Sequence, residues 1–177
     1  VPAEHITFDP EAILEVIARH GVRCVVIGGT AAYLQGSPFI TEDVDITPQV
    51  ELDNFARLSD ALTELEAKVR AHGTDPVPFN HDGRSLMDAS IWNLTTKYGD
   101  LDITTQPSGT GGYDDLSRDA VTLDLGAVSI SVASLADIVR SKATADRDKD
   151  RRTLPLLREL LSEQTKEQAE ARRRPKR

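Results

Sequence analysis

The sequence is nearly free of cysteine: Cys24 is the only one in 177 residues. That excludes an internal disulfide, and its apolar neighbours make Cys24 read as a buried, inert thiol. No stretch of 18 apolar residues occurs, so no membrane-spanning helix and no membrane partner are expected. No secretory pattern opens the chain, and a cytoplasmic protein is expected. Internal repeats are missing, as are a Walker A run, a nucleophile elbow and a cysteine-based zinc pattern. His5, His20, His72 and His81 show no metal-ligand spacing and read as structural or surface residues. A net charge of −8 argues against a protein that simply coats nucleic acid.

What remains is a globular composition, 39% hydrophobic and 28% charged, of a length that suits one domain with its own core. The charge is uneven. Residues 166–177 hold six Lys/Arg against two Glu, a net of +4, which leaves −12 on the rest of the chain. This basic end reads either as a solvated, disordered tail or as a local phosphate contact.

Asp9 and Pro10 open a helix that carries Ile13, Leu14, Val16 and Ile17 and closes at Gly21. Residues 22–27 form a strand buried on both faces. A short helix over 30–35 follows Gly28 and Gly29, and a second strand over 41–47 ends at Pro48. Phe55, Leu58, Leu62, Leu65 and Val69 recur at spacings of three and four and predict one helix over 52–69. Residues 77–79 are a candidate edge strand and 81–84 a turn, while strands are expected over 89–96 and 100–104. The glycine-rich loop over 107–112 could close over a substrate or remain a plain loop. Two short strands, 121–125 and 128–132, flank Gly126, and Ser134 with Asp137 makes a capping-box-like helix start. A last helical region over 146–163 contains Pro155, which kinks it or restarts it with Thr153 as cap. This order predicts an α+β domain: a small mixed β-sheet with flanking helices and a C-terminal helical segment. The core is expected over 1–133, helices completing the same domain over 134–165, and the basic, disordered tail over 166–177.

The chemistry concentrates between residues 25 and 46. In a strand, Asp43 and Asp45 point the same way while Val44 and Ile46 point into a core. Two carboxylates ~4 Å apart at an effective dielectric of ~20 repel by roughly 4 kcal/mol, so such a pair calls for a cation. Hard divalent ions such as Mg²⁺ take carboxylate oxygens together with substrate phosphates. The plainer alternative is a pair of solvated strand-end acids. Gly28 and Gly29 allow close backbone approach by a phosphate, and the Thr30 hydroxyl could join them. Asp102, flanked by Leu101 and Ile103, is the preferred third carboxylate; Asp100 shares its face, and a plain surface acid is the alternative. Lys142 falls in line with Leu135, Ile138 and Val139. It snorkels, pairs with Asp146, or points into an acidic cleft to meet a triphosphate. Asp150 is in register with Leu154, Leu157 and Leu161, and either orients Lys142 or Arg147 or holds the fold through a buried pair.

Together these residues resemble the polymerase-β-type nucleotidyltransferase superfamily. The resemblance rests on Gly28-Gly29-Thr30, a helix, Asp43-Val44-Asp45 and a later Asp102. The segment from Ser134 to Asp150, with Lys142, Arg147 and Asp150, is similar to the AbiEii-like branch, which includes the MenT group of bacterial toxin–antitoxin systems. Thr30 departs from the serine of many relatives. The resemblance implies the nucleotidyltransferase fold and transfer of a nucleoside monophosphate, that of a pyrimidine, from an NTP to the 3′ end of tRNA, which blocks aminoacylation. It implies that Asp43, Asp45 and Asp102 bind Mg²⁺, with two ions, and that Asp102 helps activate the 3′-hydroxyl. It implies that Lys142 and Arg147 neutralise phosphates beside Gly28, Gly29 and Thr30, with Asp150 in support. A cognate antitoxin is the implied protein partner, and Thr41, two residues before Asp43, is an implied phosphorylation site at which about −1.5 to −2 charges would expel metal or NTP. A β-favouring threonine is the alternative there. Two other functions stay open: a nucleotidyltransferase acting on a small molecule or a protein, and a catalytically inactive nucleotide-binding module.

Overall fold

The structure is a computed structural model and describes residues 7–71 and 73–173. The elements run α1 (Pro10–Arg19), β1 (Cys24–Ile27), α2 (Gly28–Leu34), β2 (Asp43–Pro48), α3 (Leu52–Glu64), β3 (Lys68–Val69) and α4 (Gly83–Met87). They continue with β4 (Ile91–Thr96), β5 (Gly99–Thr104), α5 (Tyr113–Leu116), β6 (Val121–Leu125), β7 (Val128–Val132), α6 (Leu135–Ala145) and α7 (Asp148–Arg173). One mixed sheet takes all seven strands in the order β3-β4-β5-β2-β1-β7-β6. β2 and β5 pair in parallel, as do β1 and β7, and the other pairings are antiparallel. This is the expected α+β architecture with flanking helices and a C-terminal helix.

Alternation decides the two faces of the central strands. Val44, Ile46, Leu101 and Ile103 are buried at 0–1% exposure, and the aspartates between them point to the opposite face. The buried face joins Ile13, Leu14 and Ile17 of α1 and Phe55, Leu58 and Leu62 of α3 in one core cluster. α1 starts on the Asp9 side chain, which accepts from the Ala12 N–H at 3.0 Å, with Pro10 as its first residue. The remaining long helices form a second group in which α2 packs on α6 and α6 on α7. Cys24 sits half-buried on β1, where burial pushes its thiol up to about 12 and keeps it protonated.

Several boundaries differ from the sequence pattern. β2 begins at Asp43, so Thr41 lies in the preceding loop. α3 stops at Glu64, and the chain turns through Glu66, at φ 54°, into the edge strand β3. Val69 therefore pairs with Leu94 on β4 instead of ending a helix. Val77 makes only a single bridge to Val69, and the turn expected over 81–84 opens the short helix α4. Asp146, at φ 48°, separates α6 from α7. α7 then runs through Pro155 to Arg173, with Thr153 inside it donating to the Lys149 carbonyl instead of capping a new start. Residues 166–173 of the expected disordered tail are thus helical, and its last four residues lie outside those described. Among the described residues no helix is long and apolar enough to cross a membrane.

Candidate active site

β1 passes into α2 with no intervening loop. Gly28, at φ +66°, makes that junction, and a Cβ there would lie 2.9 Å from Asp45 Cγ. Backbone conformation and the neighbouring acid both require glycine. A Cβ on Gly29 would lie 2.9 Å from Thr41 Oγ1.

Opposite the glycines, Asp43 and Asp45 leave β2 on one face. The parallel register sets Asp45 beside Asp102 and Asp43 beside Asp100. One oxygen from each of Asp43, Asp45 and Asp102 lies within 4.8 Å of the others. Asp100 is engaged elsewhere: its Oδ1 accepts from Thr95 Oγ1 at 2.8 Å and its other oxygen pairs with Arg70. Arg70 also donates to Asp102 Oδ1 at 2.6 Å. Burial, together with the charges of Asp43 and Asp102, pushes the Asp45 carboxyl up to about 7. Burial raises Asp102 as well, against the pull of Arg70. The cluster is thus short of positive charge, and three hard oxygen donors at this spacing fit a cation of the magnesium type.

The other wall comes from α6 and α7. Asp150 is fully buried, accepting from Lys142 Nζ at 3.0 Å and from Arg147 Nε at 2.7 Å. Burial raises its carboxyl, but the hydrogen bonds from Arg147 and Lys142 together outweigh that and hold it below the usual range. Asp150 is therefore the partner of Lys142, whereas Asp146 pairs with Arg151 at 2.8 Å. A cavity of ≈ 580 Å³ separates the two walls, with Asp43, Asp45 and Asp102 on one side and Lys142, Arg147 and Lys149 on the other. Its size suits a nucleotide. Pro107, Ser108 and Thr110 of the glycine-rich loop also line it.

The structure therefore brings Gly28, Gly29, Asp43, Asp45, Asp102, Lys142 and Arg147 to one cavity. Thr41 lines it too, held by its own hydroxyl, which donates to Asp43 Oδ1 at 2.7 Å, and not by strand alternation. Thr30 stands apart. It is buried, and its hydroxyl donates to the Asp43 carbonyl at 2.8 Å, so the side chain braces α2 against β2 instead of facing the cavity. His20 and His81 hydrogen-bond Glu64 and Ser59, and neither lines the cavity. His5 and His72 lie outside the described residues.

No family model matches the chain, and no curated protein sequence does. Solved structures do. The Thermotoga maritima protein TM1012, itself proposed to be a nucleotidyltransferase, matches with a TM-score of 0.53 and 20% identity over 90% of this chain and 98% of that one. The lincosamide antibiotic adenylyltransferase LnuA, solved with lincomycin bound, matches with a TM-score of 0.58 and 17% identity over 88% and 99%. The chain has the nucleotidyltransferase fold. Within that fold, two residues at the site were not among the candidates read from the sequence pattern. Arg70 comes from the end of β3, a strand hidden inside an apparent helix repeat. Lys149 is the second residue of α7 and lines the cavity, and its charge opposes the rise of both the Asp45 and the Asp102 carboxyl. Its one signal was its place between Arg147 and Asp150 in the late segment.

Proposed function

We propose that the chain is a nucleotidyltransferase that moves a nucleoside monophosphate from an NTP to an acceptor hydroxyl. The observation that carries this reading is the gathering of Asp43, Asp45 and Asp102 within 4.8 Å across a cavity from Lys142, Arg147 and Lys149. One wall suits a magnesium-type cation and the other suits a triphosphate. Asp43, Asp45 and Asp102 would hold the cation, which when bound cancels their repulsion and draws charge from the transferring phosphate. Lys142 is aimed by its contact with Asp150, and it neutralises the phosphate tail with Lys149 and, at the rim, Arg147. Gly28 and Gly29 line the same cavity, where the absence of side chains lets Asp45 and Thr41 sit close against the backbone. The acceptor oxygen then bonds to the α-phosphorus, the bond to the β-phosphate bridge breaks, and pyrophosphate leaves. Asp102, whose Oδ2 has no protein donor among the described residues, takes the acceptor's proton.

The acceptor we propose is the 3′ end of tRNA, which would make the chain the toxin of a toxin–antitoxin pair, with the pyrimidine NTPs as donors. The supports are the segment from Ser134 to Asp150 and its likeness to the AbiEii-like branch. Phosphorylation of Thr41 by a cognate antitoxin would place new negative charge against Asp43, which its hydroxyl already touches. A small-molecule acceptor is the second reading, favoured by the match to LnuA along nearly its whole length. Incubation with labelled NTPs, Mg²⁺ and total RNA tests both. Label in tRNA is expected. Label only in small molecules would select the second reading, and none from a folded protein would reject transfer.

A further inference from the structure

We propose that Arg70 tunes the charge of the acid cluster: anchored on Asp100, its guanidinium sits against Asp102, offsets part of the negative charge, and so limits how tightly a divalent cation is held. The proposal rests on the reading that Asp43, Asp45 and Asp102 bind a cation.

The placement comes from the sheet. Arg70 follows the last residue of β3, and its N–H donates to the Asn93 carbonyl at 2.9 Å, which extends the β3–β4 ladder by one residue. Asn93 stands beside Asp102 on β5, and Asp102 beside Asp45 on β2. Arg70, Asn93, Asp102 and Asp45 thus form a row across four adjacent strands. Strands lie ~4.8 Å apart, so the Arg70 backbone is roughly 10 Å from that of Asp102. An extended arginine reaching toward an aspartate closes that gap, and its fork serves two carboxylates at once.

The two acids it touches have different surroundings. Asp100 is engaged on both oxygens, by Thr95 and by Arg70, so it fixes the guanidinium in place. Asp102 meets Arg70 through Oδ1 alone. The contact therefore fixes the rotation of the Asp102 carboxylate and leaves the second oxygen for the cluster. Charge makes the same point. Asp43, Asp45, Asp100 and Asp102 stand on adjacent strands at matched register, and Arg70 is the cation paired with two of them. Its side chain is 31% exposed, so its field at the cluster is weakened by solvent without being abolished.

Calorimetric titration of the metal-stripped full chain with Mn²⁺, with melting in EDTA as a check on folding, tests this on wild type, R70A, R70Q and R70K. Wild type is expected to bind Mn²⁺. R70A and R70Q should bind it about three- to tenfold more tightly, because a positive charge beside the cation has gone. R70K restores that charge and should return the affinity to within about twofold of wild type. A role confined to tying β3 to β5 predicts lower melting temperatures with equal or weaker Mn²⁺ binding in R70A and R70Q, and that result overturns the proposal. If wild type binds Mn²⁺ and all variants match it, the inference about Arg70 fails alone. If wild type takes up no Mn²⁺, the cation site and the transfer reading fail with it.

Discussion

The two walls of the cavity are charged oppositely and completed to different degrees. On the α6–α7 side, one fully buried carboxylate is matched by two cations, and its acidity is strengthened in spite of burial. On the β2–β5 side, three carboxylates crowd together, and the most enclosed of them is pushed up to about 7. On the first wall the buried charge is satisfied within the protein. The second is strained by like charge, and only something brought from outside relieves it. A fold that keeps such strain in place holds binding energy ready for a ligand cation.

Asparagine substitutions on the two walls should therefore move stability in opposite directions. D45N, the largest effect, should lower nucleotide transfer about a thousandfold or more while raising the melting temperature in EDTA, since a neutral amide ends the repulsion. A fall in melting temperature would break the contrast. D150N leaves Lys142 and Arg147 facing an amide. It should destabilise by about 3 kcal/mol, or roughly 6–12 °C in thermal denaturation, with activity lost as a consequence. The pH dependence sharpens the comparison further. Asp45 binds its proton more tightly in the folded chain than in the unfolded one. Its contribution therefore favours folding most at low pH and is lost as pH rises toward about 7. Asp150 is held below its ordinary value, so its contribution is present above that value and is lost as pH falls. Divalent-cation affinity, read by Mn²⁺ titration, should weaken by up to about tenfold for each pH unit below about 7, because the cation must displace the Asp45 proton.

What the sequence revealed of this contrast follows from the range of the interactions. Asp43, Asp45 and Asp102 were legible because a two-residue period and apolar neighbours fix their face locally. Lys142 and Asp150 were visible as charges at core-facing helical positions, and a pairing of the two was one of the readings open; the choice of Asp150 over Asp146 as the lysine's partner was not legible, because it depends on how α6 folds back on α7 at Asp146. That residue adopts a left-handed conformation without being glycine. Glu66 hides the end of α3 in the same way, and with it β3 and Arg70. Thr30 looked like a ligand by its place after two glycines, yet its hydroxyl is held by a carbonyl thirteen residues away. Local periodicity carries element type and facing; side-chain partners set by tertiary pairing lie beyond it.

Gly28 gives the arrangement a single point of failure. Any side chain there would push against the Asp45 carboxylate, and the helix start would be forced out of its left-handed turn as well. One added methyl group, with no charge altered and no polar atom removed, is enough to prise the acids apart. A hydrocarbon substituent would thus disarm an electrostatic device from behind, through crowding alone.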